Sequence, residues 1–126
     1  MKGYCIDSDI LIDYLRGQSK ARDFLLTSSK EKVLWISIVS VVEIYSGKET
    51  KDAKKRAQIE AFLSNFNIMG LSYEIAKRAG ELRRDYARPF ADMIIAAGVL
   101  ELDLVLITRN IRHFDELEDL NVIKPY

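Results

Sequence analysis

The apolar residues of this chain fall into short branched-residue runs separated by stretches of helical period, and no other feature restricts its fold as strongly. Residues 3–6 form a strand-like run that stops at Asp7, after which Ile10, Leu11, Tyr14 and Leu15 recur at helical spacing. Ser19 caps a second helix to about Ser29, and residues 33–38 read as a buried strand that ends near Ser40, where another helical pattern begins. A charged helix covers residues 51–66, with Ala57, Ile59, Phe62, Leu63 and Phe66 as its apolar stripe. Residues 67–71 are a short strand, and Ser72 opens a helix with Ile75, Ala76, Ala79 and Leu82 on one face. Pro89 starts a nearly all-apolar helix to about Glu101, residues 104–107 form a strand, and Val122-Ile123 a last one. Strands alternating with helices imply right-handed crossovers. The expected fold is therefore α/β, a three-layer α/β/α sandwich around a parallel sheet of four to five strands. Such sheets place their sites beyond the carboxyl ends of the strands, so the residues just after each strand matter most.

With 126 residues and neither a repeat nor a low-complexity linker, residues 1–126 are expected to form one domain. The 19 basic and 19 acidic side chains cancel, so nucleic-acid binding cannot be argued from bulk charge. Cys5 lies in an apolar run and has no second cysteine to pair with, which suits a reducing, cytoplasmic setting. Met1-Lys2 leads into an acid-containing segment rather than an apolar leader, and no apolar run approaches the roughly 18 residues that span a membrane.

Three carboxylates stand where the fold puts its sites. Asp7 follows the first strand directly, with Asp9 two residues on. Ser8 or Asp9 can cap the following helix, and that capping reading accounts for Asp9 as well as any functional one does. Asp7 is different, because an acid ending a buried strand beside a second acid suffers desolvation and repulsion unless a cation or a proton intervenes. Glu43 closes a Ser40-Val41-Val42-Glu43 capping box, yet its neighbours Val39, Val41, Val42 and Ile44 are all apolar, which places it at the mouth of the second strand. Both readings stay open. Asp92 heads a helical face whose other members are Ile95, Ala96 and Val99. The helix dipole offers such an acid about 0.3–1 kcal/mol, whereas burying a carboxylate without a partner costs several kcal/mol, so a metal ion or a basic side chain is required.

Thr108-Arg109-Asn110 follows the strand at 104–107 and brings a hydroxyl, a guanidinium and an amide to the same sheet edge, although Asn110 also suits the cap of a helix containing Ile111 and Phe114. His113, the only histidine, sits beside Phe114 and reads as a packed or surface residue. Lys51, Lys54, Lys55 and Arg56 are interleaved with Glu49, Asp52 and Glu60, the pattern of a solvated helix face. Arg83, Arg84 and Arg88 lead into the Asp92 helix, where phosphate oxygens would pass if the carboxylates held metals.

Taken in order, residues 6–12 (Ile-Asp-Ser-Asp-Ile-Leu-Ile), 40–43 (Ser-Val-Val-Glu), 91–97 (Ala-Asp-Met-Ile-Ile-Ala-Ala) and the segment from Thr108-Arg109-Asn110 to Phe114 resemble the PIN-domain family, and their spacing resembles its VapC toxins. The resemblance spans essentially the whole chain and lies in the four-part order rather than in any one segment. It implies an endoribonuclease that uses Mg²⁺ or Mn²⁺ at an acidic pocket, a VapB-like antitoxin partner and a homodimer. Carried over position by position, it makes Asp7, Glu43 and Asp92 metal ligands, Asp9 an additional or indirect ligand, and Thr108 and Asn110 auxiliary polar groups, with Arg109 near the phosphate. Where many PIN domains have a fourth acid, this chain has Asn110 and His113. Hard oxygen ligands suit Mg²⁺ or Mn²⁺, which polarise a phosphate and activate water for in-line attack. Three other readings compete. Asp7-Ser8-Asp9 also suits a phosphatase of the haloacid-dehalogenase kind, but the expected lysine and later paired acids are missing. A phospho-receiver domain needs an aspartate after the third strand, and residues 67–72 contain none. A PIN fold kept only as a binding scaffold is the third.

Overall fold

Residues 2–126 are the ones described by the structure, a computed structural model; Met1, part of the segment read above as lacking a leader pattern, lies outside them. The chain runs β1 (Tyr4–Ile6), α1 (Ser8–Leu15), α2 (Ser19–Ser29), β2 (Leu34–Ser37), α3 (Ile38–Tyr45), α4 (Ala53–Leu63), β3 (Asn67–Met69), α5 (Tyr73–Tyr86), α6 (Phe90–Glu101), β4 (Val105–Ile107) and β5 (Val122–Ile123). Single 3₁₀ turns at Lys48–Lys51 and Ile111–His113 fill two of the connections. The strands form a five-stranded sheet in the order β3-β2-β1-β4-β5, and every pairing is parallel. The expected α/β sandwich is the observed one.

Side chains alternate across the sheet, and each face collects its own core. Ile6, Leu34, Ile36 and Ile107 point into a cluster with Ile10 and Leu11 of α1, Leu25 of α2 and Ile59 of α4. Cys5, Met69 and Leu106 point the other way, into a cluster with α6 and with Phe114, Leu117 and Leu120 of the loop before β5. Met93 to Val99 are all buried, so α6 is apolar around its whole circumference because it is covered all round. Burying side chains of this size stabilises by roughly 1.5–3 kcal/mol each, which is why strands of only three or four residues hold their register. None of the described helices is long and apolar enough to cross a membrane.

Element boundaries differ from expectation where the sequence has no punctuation. The second strand stops at Ser37, whose hydroxyl accepts from the Val39 N–H at 3.1 Å and caps α3. The helix cap therefore lies three residues before Ser40, and the Ser40–Glu43 capping box does not form. Helix α4 is shorter than 51–66, being preceded by the 3₁₀ turn and capped by Asp52, and Ala57 is exposed rather than part of its stripe. Ala76 is likewise exposed on α5. No helix follows Asn110, only a 3₁₀ turn without a side-chain cap.

Freed from capping, the Ser40 hydroxyl is fully buried and has no hydrogen-bond partner among the described residues. An unsatisfied buried hydroxyl is destabilising by about 1–3 kcal/mol, and alanine is the better helix former. Ser40→Ala is therefore expected to raise stability by about 1 kcal/mol, read as a melting temperature higher by about 4 °C. A variant that instead melts clearly lower would reveal a buried water on that hydroxyl.

Candidate active site

Strands β1 and β4 are neighbours, with Ile6 opposite Ile107, and the chain leaves them in opposite directions around the sheet. This is a topological switch point, where an open parallel sheet forms a crevice at its carboxyl edge. Asp7 and Thr108 are the first residues beyond the paired strands, and the Asp7 N–H still bonds to the Ile107 carbonyl at 2.9 Å. Their meeting follows from register alone.

Asp7 caps α1, so the cap lies one residue earlier than Ser8. Its Oδ1 accepts from the Ser8 N–H at 2.8 Å, and its Oδ2 accepts from the Thr108 hydroxyl at 2.8 Å. The threonine is itself aimed. Its oxygen accepts from the Asn110 N–H at 3.0 Å, which leaves the hydroxyl proton to point at Asp7. Asn110 thus acts on Thr108 through its backbone, and its side chain is exposed. Asp9 lies in the first turn of α1, where its Oδ1 takes the Ile10 N–H at 2.8 Å and its Oδ2 the Arg109 N–H at 2.8 Å. Asp7, Asp9 and the Thr108–Asn110 turn accordingly form one hydrogen-bonded unit.

Glu43 and Asp92 border this unit through one intermediary each. Glu43 is exposed on α3, where its Oε1 accepts from the Ser8 hydroxyl at 3.1 Å. Asp92 lies in the first turn of α6, its side chain 16% exposed, with Oδ2 at 3.0 Å from Nδ1 of His113. The basic partner called for by an acid on an apolar face is therefore His113, which the sequence offered as a packed or surface residue. In this arrangement of side chains, no three acids, histidines or cysteines among the described residues stand close enough to hold one ion. Arg88 is engaged elsewhere, with Asp115, Glu116 and the Arg112 carbonyl, and Arg84 with Asp85. The guanidinium of Arg109 is turned to Asp13.

The electrostatics single out Asp7. Burial first, and then the charges of Asp9 and Asp92, push its pKa up to about 6, even though the bonds from Thr108 and Ser8 act the other way. Burial also raises Asp9, against the Arg109 and Ile10 N–H groups, and raises Asp92, against His113 and Arg88. No lysine or arginine side chain pairs with Asp7 among the described residues. An all-oxygen set of anions with its central member buried and uncompensated has the donor chemistry of a site for a hard divalent cation.

Sequence reasoning missed the contacts of three residues in or beside this pocket. Ser8 was weighed as a cap and is instead the link from α1 to Glu43. His113 stood where the resemblance expects a fourth acid, but nothing in the sequence paired it with Asp92. Asp13 stands four residues after Asp9, one helical turn along the same face, and that spacing was a legible sign that both acids meet the same turn.

Comparison with known proteins gives one consistent result. A family model described as the PIN domain matches residues 4–120. Ribonuclease VapC10 of Mycobacterium tuberculosis is 38% identical over 91% of this chain and 88% of its own length. The tRNA(fMet)-specific endonuclease VapC of Salmonella typhimurium is 27% identical over 69% of this chain and 71% of its own. Among solved structures, a chain of a toxin-antitoxin complex from Klebsiella pneumoniae superposes with a TM-score of 0.85 at 31% identity, with 98% of each chain covered. A match spanning nearly the whole chain, on a sheet that brings Asp7 and Thr108 together at its switch point, establishes that this chain belongs to the PIN-domain family.

Proposed function

We infer that the chain is a divalent-metal-dependent endoribonuclease of the VapC kind, the toxin of a toxin–antitoxin pair, with Asp7, Glu43 and Asp92 as its metal ligands and Mg²⁺ or Mn²⁺ as the ion. The observation that carries the reading is Asp7: a buried carboxylate, pressed by the charge of two further acids, hydrogen-bonded on both oxygens and paired with no cationic side chain. The ribonuclease and toxin assignments are supported by the names of the relatives. When bound, a divalent cation supplies charge neutralisation and Lewis-acid polarisation of the phosphodiester. The chain's own work is positioning. Thr108, oriented by the Asn110 N–H, fixes the rotamer of Asp7, and the Arg109 N–H fixes Asp9. Glu43 and Asp92 are each restrained by a single side-chain bond, to Ser8 and to His113, and giving it up frees the carboxylate to serve as a ligand. Asp9 supplies the negative charge that Asn110 and His113 do not.

A VapB-like antitoxin is the expected protein partner. Beside Glu43 lies a cavity of about 420 Å³ lined by Ile12, Leu15, Ile44 and Ile59 together with Arg16 and Lys55, a surface suited to an amphipathic peptide segment that ends near the carboxylates. The homodimer of the same reading is supported by Leu71, Tyr73 and Phe90, large side chains exposed at or just before the starts of α5 and α6.

Purified protein freed of any antitoxin is expected to cut RNA in Mg²⁺ or Mn²⁺ and to stop in excess chelator. Cutting that persists in chelator would falsify the metal mechanism. Phosphate release from small phosphomonoesters without RNA cleavage would favour the phosphatase, and a folded protein with neither activity the binding scaffold.

A further inference from the structure

Asp13 takes no part in the acid pocket, yet three donors converge on its carboxylate. Arg109 donates from Nε at 2.8 Å and from Nη2 at 3.2 Å, a two-pronged pair, and the Tyr126 hydroxyl donates at 2.7 Å. The Asp13 side chain is 16% exposed and that of Arg109 41%, so this pair sits at the edge of the protein with its anion inward. Asp9 and Asp13 lie one turn apart on α1 and face the same Thr108–Asn110 turn. Arg109 bridges them in two different ways, its backbone N–H on Asp9 and its guanidinium on Asp13. Even from that clamped position the guanidinium and Asp9 feel each other's charge. A guanidinium released from Asp13 has Asp9 one helical turn away on the same helix, with Asp7 two residues before it. Paired there, it would neutralise the charge that draws a divalent cation.

We propose that Asp13 is a positioning residue for the acid pocket: held by the Tyr126 hydroxyl, it keeps the guanidinium of Arg109 turned away from Asp9 and Asp7. The inference rests on the metal-dependent reading of the site. It gives a role to a conspicuous acid that is not a ligand, since Asp13, unlike Asp7, is paired on both oxygens with a guanidinium.

The test is Mn²⁺ titration, followed by the rise in melting temperature, of wild type, Asp13→Asn, Arg109→Gln and Asp13→Asn/Arg109→Gln. An amide cannot hold a guanidinium with two prongs. Asp13→Asn is expected to weaken Mn²⁺ binding by about tenfold to a hundredfold, the usual loss when a group that orients a metal site is removed. Its RNA-cleavage kcat is expected to recover as Mn²⁺ is raised. Arg109→Gln is expected to bind Mn²⁺ like wild type, and the double variant to return to within about threefold of Arg109→Gln, because the competing cation is gone. If Asp13→Asn binds Mn²⁺ like wild type, or the double variant is as weak as Asp13→Asn, the proposal is overturned. Tyr126→Phe keeps the ring and loses one bond to Asp13, so a smaller loss of the same sign is expected; unchanged Mn²⁺ affinity there, should Asp13→Asn fail to fold, also overturns it. A wild type indifferent to Mn²⁺ removes the metal reading and this inference together, whereas a responsive wild type with an indifferent Asp13→Asn removes this inference alone.

Discussion

Asp7→Asn is expected to reduce RNA cleavage by about a hundredfold to a thousandfold while leaving the metal-free protein as stable as wild type or more so. The first half follows from the place of Asp7 in the pocket. It is the most buried of the acids there and the one that Thr108 orients, so neutralising it removes the charge around which an ion would be held; losses of this size are typical when one group that stabilises transition-state charge is deleted. The second half follows from shape. An asparagine keeps one oxygen for the Ser8 N–H, and its amide can donate to the Thr108 oxygen, which has a lone pair left after accepting from Asn110. The threonine proton is then left to Asp9, whose Oδ2 already lies 3.5 Å away. One hydrogen bond is weakened, at about 1 kcal/mol, while a desolvated charge and its repulsion from Asp9 and Asp92 disappear. The checks are RNA-cleavage rates in Mn²⁺ and melting in chelator. Expression of the wild type is expected to slow a host, and expression of Asp7→Asn is not. A well-folded Asp7→Asn that cuts within about tenfold of wild type would place the ligand role elsewhere.

The carboxyl edge of β1 and β4 was legible in the sequence because strand, acid and helix follow one another there without ambiguity. Asp7 and Thr108 each come directly after a short apolar run, and parallel pairing then leaves only one place for them to meet. Residues 33–42 are harder. They contain only apolar side chains and two serines, with no glycine, proline or charge to mark the change from period 2 to period 3.6. Ser37 and Ser40 are equally good caps on paper. The sheet decides, since Ser37 is the last residue that β2 pairs with β3, opposite Met69. Glu43 consequently moves from the first turn of its helix to the second, where it reaches Ser8 instead of its own backbone.

Side-chain pairs between distant segments were not legible at all. Asp92 and His113 meet only because the Ile111–His113 turn folds over the start of α6, and Asp13 meets Arg109 and Tyr126 across 96 and 113 residues of sequence. A helical wheel told that Asp92 needed a partner, by setting several kcal/mol of burial against the small dipole term, but it could not choose between an ion and a base. The structure supplies the base. The two answers are compatible if His113 occupies the Asp92 carboxylate until a divalent cation competes for it.

That competition has a pH signature opposite to ordinary acid denaturation. In most proteins the paired carboxylates have lowered pKa values, and stability is lost as pH falls. Asp7 is raised, from an ordinary 3.8 to about 6. The metal-free native state therefore binds more protons than the unfolded chain between about pH 4 and pH 6, and stability contributed by protonated Asp7 is fully present below about pH 4 and lost as pH rises through 6. A shift of about two units corresponds to roughly 3 kcal/mol, shared with Asp9 and Asp92, which move in the same direction and titrate together with it. Mn²⁺ should act in reverse, because it must displace those protons. Its stabilisation, about 2.7 kcal/mol at a hundredfold excess over Kd, is expected to be larger at pH 7.5 than at pH 5. The measurement is melting of wild type and Asp7→Asn at pH 5, 6 and 7.5, with chelator and with Mn²⁺. In chelator, wild type should lose stability relative to Asp7→Asn as pH rises, and with Mn²⁺ at pH 7.5 it should overtake the variant. Parallel pH profiles of the two proteins in chelator would mean that Asp7 titrates as an ordinary acid. A Mn²⁺ effect of equal size at pH 5 and pH 7.5 would place the ion away from these carboxylates.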